Sequence, residues 1–179
     1  MWALVEDNKI KKVYNKPIQL TIGDIVYPSN IHNLWSEAQL KAIGIYLVIQ
    51  DKSNLKDKKY YINTDQSFTF ADDKVTATYG TATAKNLDTL KADHCTAIND
   101  IAYGLLQPND WRVVKATETS GSVASDWTTY RAGVRTAAND MKTKINAVSD
   151  IDALAALYVY NDADPPVRPL GEFPTPPTS

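Results

Sequence analysis

The sequence predicts an α+β protein. It has a small antiparallel β region with one short helix in its N-terminal half. An antiparallel helical pair, a short third helix and a Pro-rich tail follow. Two observations carry this expectation. Residues 1–83 are short β-branched or aromatic runs divided by turn formers, whereas from about Ala84 apolar residues recur at every third or fourth position. The expected division is a β-rich domain over 1–83, a helical domain over 84–160 and an extended arm over 161–179. With 179 residues, 44% of them hydrophobic, the chain can bury the core such a layout needs.

In chain order, the first strands are Trp2–Val5, Lys9–Tyr14, Ile18–Thr21 and Asp24–Tyr27. Asp7-Asn8, Asn15-Lys16-Pro17 and Gly23-Asp24 separate them, and Asp7-Asn8 suits a tight hairpin turn because Asn tolerates left-handed geometry. Pro28 lacks an N–H and ends the run. Ser36-Glu37-Ala38-Gln39 reads as a capping box with Trp35 before it, opening a helix over Glu37–Ile43 that stops at Gly44. Ile45–Ile49 is the next strand, and a Lys-rich loop runs from Gln50 to Lys59. Strands Tyr60–Ile62, Phe68–Phe70 and Lys74–Tyr79 follow, the last after an Asp72-Asp73 turn. Alternation in Phe68-Thr69-Phe70 and Val75–Tyr79 implies that one sheet face meets water.

Beyond Ala84, Leu87, Leu90, His94, Ile98, Ile101 and Leu105 trace one helical stripe that should end near Gly104–Pro108. Trp127, Tyr130, Val134, Ala137, Met141, Ile145 and Val148 trace a second at heptad spacing, with Ser125 or Asp126 as its cap. A third short helix is expected over Ile151–Tyr158. Between the long stripes, Trp111–Val114 reads as extended and Thr117–Ser125 as a polar loop, a connection suited to an antiparallel pair. The prolines of Asp164–Ser179 exclude a helix there and favour polyproline II or irregular chain.

The residues offer little for catalysis. The two histidines are His32, in a loop, and His94, on an apolar stripe beside Cys95; neighbouring helix positions point about 100° apart, so His94 and Cys95 make a poor nucleophile–base pair. No metal-ligand spacing or phosphate-cradling glycine pattern is present, and no cofactor is expected. A net charge of −2 gives no electrostatic case for nucleic acid, and the Lys52–Lys59 loop is diluted by Asp57. No apolar run approaches the ~20 residues of a membrane helix, and Glu6-Asp7 follows the first apolar residues too soon for a signal peptide. The single Cys95 excludes an internal disulfide and reads as a small packing residue. The expectation is a non-enzymatic protein that acts by contact.

All four arginines lie at or beyond Arg112, which concentrates planar, bidentate contact chemistry in the second half. Arg131 and Arg135 are four apart on one helical strip, with Trp127 a turn earlier. Such residues either anchor a partner or pack the helical pair. Trp111 is expected to plug the end of the pair.

Three phrases in this half occur in a suggestive order: Leu105-Leu106-Gln107-Pro108-Asn109-Asp110-Trp111, then Trp127-Thr128-Thr129-Tyr130-Arg131-Ala132-Gly133-Val134-Arg135, then Phe173-Pro174-Thr175-Pro176-Pro177. Together they resemble the tail assembly chaperone families of tailed bacteriophages, whose members carry an LL-x-x-x-DW step, a WxxYRxxxR helix and a short W/F-P-x-P ending. Ile25-Val26-Tyr27-Pro28 and the stretch from Leu34-Trp35-Ser36 to Ile43-Gly44-Ile45 look like the leader of related phage proteins. The chain departs from the pattern in its long helical stretch after Arg135 and in Phe173, where a Trp is frequent.

The resemblance implies an accessory factor that helps tail fibres fold and assemble in the host cytoplasm. Its partner would be a tail-fibre or tail/baseplate protein, and homo-oligomerisation stays open. The implied contact residues are Trp111, Trp127, Tyr130, Arg131, Arg135, Phe173 and Pro174. The competing expectation is a resident component of the virion tail, baseplate or fibre.

Overall fold

The computed structural model describes residues 1–178, which form two compact units meeting at Thr83/Ala84. The fold class is α+β.

In the first unit, β1 (Trp2–Glu6) and β2 (Lys9–Tyr14) form a hairpin whose turn residues Asp7 and Asn8 both have positive φ, 52° and 58°. This geometry matches the right-handed twist of the paired strands. Strands β3 (Leu20–Ile22) and β4 (Ile25–Tyr27) make a separate hairpin across Gly23. A one-turn helix, α1 (Ile31–Leu34), follows; its four residues are too few to leave a periodic signature in the sequence.

Helix α2 (Glu37–Ala42) has the reciprocal capping box expected of Ser36 and Gln39, and Gly44 takes φ 79° just before β5 (Ile45–Asp51). Then come β6 (Tyr61–Ile62), β7 (Gln66–Ala71), β8 (Lys74–Tyr79) and β9 (Thr83–Ala84).

The five-stranded sheet runs β2-β1-β5-β8-β7. Its neighbours are antiparallel except β5–β8, which are parallel. The parallel pair arises because the β7–β8 hairpin enters the sheet through its second strand, and Val75 and Ala77 there are fully buried. The outer strands β2 and β7 approach each other, so the sheet curls.

The alternation read in β7 and β8 holds, whereas β1 is covered on both faces. Ala3 and Val5 enter a core with Val48, Val75 and Ala77, while Leu4 enters a second core with Tyr14, Leu20, Ile31, Leu40 and Ile45. The segment from Ile18 to Ile43 supplies apolar residues that cover the second face, a long-range event that strand alternation cannot foretell.

In the second unit, α3 (Leu87–Leu106) starts at Asn86, whose side chain accepts a hydrogen bond from the Thr89 N–H. A 3₁₀ turn over Gln107–Asn109 leads into α4 (Asp110–Glu118), so Trp111–Val114 is helical and not extended. Pro108 sits in the first turn of that bend, where a missing N–H costs little, and Asp110 opens α4, favourable at a positive helix end. The helix ends with Ser120 at φ 50° and the Gly121 N–H bonded to the Ala116 carbonyl at 2.8 Å.

Helix α5 (Ser125–Ala147) runs antiparallel to α3: Lys91 donates to the Asn146 carbonyl near one end, and Lys142 donates to Asn99 farther along, both at 3.0 Å. Its N-cap is Ala124, which offers no side-chain acceptor; Asp126 instead accepts from the Trp127 N–H. The buried seam of α5 includes Ala138 where heptad spacing selects Ala137, and that of α3 includes Ala102 while Ile101 is exposed. A straight helix at 3.6 residues per turn drifts away from a 3.5-residue repeat.

Helix α6 (Ile151–Ala156) is capped by Asp150 and buries Ile151 and Leu154. The Pro-rich segment is irregular, as its composition requires, but it does not extend freely. Leu170 is buried, its N–H donates to the Leu157 carbonyl, and Lys144 binds the carbonyls of Pro169 and Leu170. The arm expected over 161–179 is therefore laid back, at residues 169–174, onto α5 and the end of α6.

Candidate partner-binding surface

Arg131 organises the open end of the α3–α5 pair. Its side chain is 9% exposed and donates from Nη1 to the Leu106 carbonyl at 3.1 Å and from Nη2 to Asp110 Oδ1 at 2.6 Å. Helix α3 ends with carbonyls that have no partner inside the helix, and a buried guanidinium needs acceptors. Each satisfies the other. Asp110, at the start of α4, completes the pairing and ties α4 to α5.

The aromatic layer lies beside this bridge. Trp127 and Tyr130, both buried, meet edge to face with ring centroids 5.8 Å apart. The Arg112 guanidinium lies 4.1 Å from the Trp127 ring centroid and 4.8 Å from that of Trp111. Trp111 itself is 54% exposed. It therefore does not plug the pair; Arg112 takes the position against Trp127, and Trp111, on the other side of the guanidinium, stays at the surface.

The expected contact residues thus separate into two sets. Trp127, Tyr130 and Arg131 are interior and hold the unit together, which removes them from the surface a partner could meet. Trp111 and Arg135 are exposed, and Phe173 and Pro174 are half-buried. Among the described residues Arg135 donates to the Arg131 carbonyl, at 3.4 Å.

Phe173 and Pro174 lie along α5 with Thr129, Ala132, Gly133, Thr136 and Ala137, lining one shallow groove. A Cβ at Gly133 would sit 3.3 Å from Pro174 Cγ, so the missing side chain is what lets the Pro-rich ending approach. Exposed apolar residues continue around α4 with Val113 and Val114, and Tyr103 on α3 is 64% exposed.

Two residues here were not singled out from the sequence. Arg112 carried no signal, because its stacking depends on α4 being a helix. Gly133 did carry one: it is the single glycine inside the 23-residue α5, and a mid-helix glycine is costly without a packing reason.

The titratable groups noted in the sequence take packing roles. His94 Nδ1 is hydrogen-bonded to the Tyr158 hydroxyl, and Cys95 faces Asn146 at 3.9 Å. In the first unit His32 is buried against the Trp2 ring at 4.6 Å, and burial pushes its imidazole below the ordinary value, with the Ile18 backbone opposing weakly. Asp73 is held below the usual carboxylate range by hydrogen bonds from Lys41 and Tyr46.

Among the described residues no group of three or more His, Cys, Asp or Glu side chains could hold a metal ion, and no helix is long and apolar enough to cross a membrane. No family model, curated protein or solved structure matches the chain.

Proposed function

We propose that this protein is a non-enzymatic, phage tail-associated binding protein that assists the folding and assembly of a tail fibre. One observation carries the reading. The phrases on which the family resemblance rests lie far apart in sequence and converge in space: the Leu105-Leu106 step, Asp110-Trp111 and the Trp127–Arg135 helix meet through Arg131, and Phe173-Pro174 pack on Gly133 of that helix.

The surface this cluster presents suits binding. Trp111 is an exposed aromatic on a helix rimmed by Arg112 and Lys115, and aromatic and arginine side chains dominate protein interfaces. A chaperone of this kind would cover unpaired fibre strands or the fibre tip until folding completes, since exposed edges aggregate. The outer strand β2 carries Lys9, Lys11 and Lys12, charges that discourage its own pairing with such edges.

The test is co-expression with the tail-fibre protein of the same genome, followed by pull-down and mass spectrometry of purified particles. Soluble fibre recovered only with this protein, and particles that lack it, support the reading. Stoichiometric recovery in particles points to a resident tail component. A fibre that folds alone and captures nothing overturns the proposal.

A further inference from the structure

We propose that the cleft between α4 and the start of α5 is a carboxylate-binding pocket that takes an acidic side chain of a partner polypeptide. Trp111, Arg112, Lys115, Ala116, Thr119 and Ser122 line it together with Val123 and Ala124, around a volume of about 220 Å³. Three independent features define what it takes.

The first is a pair of cations outside any ion pair among the described residues. Arg112 and Lys115 line the same cleft; Asp110, two residues from Arg112, is committed to Arg131, and Glu118, three residues from Lys115, does not line the cleft. Arg112 Nε is buried and has no hydrogen-bond partner. Stacking on the Trp111 and Trp127 indoles holds the guanidinium in place, and a carboxylate in the cleft would be met by its Nη groups, since the buried Nε is out of a ligand's reach.

The second is the helix end. Ala124, at the N-cap of the 23-residue α5, lines the cleft and contributes no side-chain acceptor; the acceptor in the first turn is Asp126, bound to the Trp127 N–H. Hydroxyls of Thr119 and Ser122 add donors beside it, although the Thr119 hydroxyl already serves the Lys115 carbonyl.

The third is the rim. Trp111 is 54% exposed, and Val123 and Ala124 line the cleft with it. An apolar rim around two cations fits an acidic residue flanked by apolar ones. Glu118 and Asp126 lie close in sequence and add negative charge, which opposes a doubly charged phosphate more than a single carboxylate. The Arg fork offers parallel donors to the two oxygens of that carboxylate.

This inference rests on the reading of the chain as a binding protein only in making the occupant a polypeptide, and short probes test the pocket whether or not a fibre is the partner. The experiment is titration of the intact chain with acetyl-Phe-Glu-Leu-amide, with its Gln counterpart and with inorganic phosphate, followed by the Arg112 Nε–H and Trp111 indole N–H resonances. The Glu peptide shifts both signals, the Gln peptide needs at least a tenfold higher concentration, and phosphate is the weakest.

Lys115→Ala weakens the Glu peptide at least threefold with the melting temperature unchanged, since Lys115 is exposed. Arg112→Lys abolishes the preference for Glu over Gln, a readout that lost packing alone would not give. Equal binding of both peptides, a response to phosphate alone, or signals that move with none of the probes overturns the proposal. A pocket that prefers the Glu peptide in a protein that captures no fibre leaves this inference standing and sinks the assembly role alone.

Discussion

Gly44→Ala tests how α2 is joined to the central strand. Gly44 has φ 79°, a region an L-residue with a Cβ enters at a cost of roughly 1–2 kcal/mol. Alanine recovers about 0.4–1 kcal/mol by restricting the unfolded chain, which leaves about 1 kcal/mol from backbone conformation. The larger contribution is steric.

A Cβ at position 44 would lie 2.6 Å from the Val5 carbonyl oxygen, a backbone atom that cannot swing aside, and 3.6 Å from Leu4 Cδ1. The strand can yield only by breaking the 2.8 Å bond from the Val5 N–H to the Gly44 carbonyl, at the point where the β1–β2 register already shifts between Leu4 and Val5. Leaving a buried backbone group unsatisfied costs about 1–3 kcal/mol. The expected loss is about 2–4 kcal/mol, or roughly 10–25 °C in the melting temperature of a unit this size.

Gly23→Ala is the control, because Gly23 also has positive φ, 58°, but no atom lies within 4 Å of its Cβ position. Urea unfolding followed by circular dichroism should place Gly23→Ala near 1 kcal/mol of loss and Gly44→Ala well beyond it. Equal losses would show that clash with β1 is not what makes position 44 a glycine.

Three further outcomes are expected. Arg131→Ala should cost about 2–3 kcal/mol in the second unit, because it strips the donor from the Leu106 carbonyl and the Asp110 carboxylate together, while Arg135→Ala should stay within about 0.5 kcal/mol by chemical denaturation. His32 has a depressed folded-state pKa, so below about pH 6.5 the unfolded chain takes up a proton that the native unit refuses; stability is fully present above that pH and declines as pH falls, by at most about 1.4 kcal/mol per pH unit. His32→Phe should flatten that slope in unfolding free energies measured at pH 7.5, 6.5 and 5.5, and an unchanged slope refutes the assignment. Gly133→Ala should stabilise a chain truncated after Glu172 by about 1 kcal/mol through helix propensity, yet gain less in the full chain, where Pro174 occupies the space. Thermal melts of the four proteins measure the difference.

The first half of the chain was legible where local chemistry decides. Asp7-Asn8, the Ser36–Gln39 box and Gly44 specify their turns and caps through backbone geometry that neighbours alone determine. The stripes of α3 and α5 were legible because amphipathic periodicity records which face must be buried. Catalytic reasoning found little to use in His94 and Cys95, and the structure gives them Tyr158 and Asn146 as neighbours.

Other features were set by partners distant in sequence. The parallel β5–β8 pair, the second covered face of β1 and the helical state of Trp111–Val114 each depend on a surface that forms only on folding. The candidate contact residues show the same division. An arginine four residues from a tryptophan reads alike whether it faces solvent or a helix end. Only the approach of Leu106 and Asp110 places Arg131 inside, and only the stacking of Arg112 on Trp127 leaves Trp111 outside. Residue type and spacing determine which contacts a side chain can make. Which of them it does make follows from the competition for burial among elements that the chain brings together.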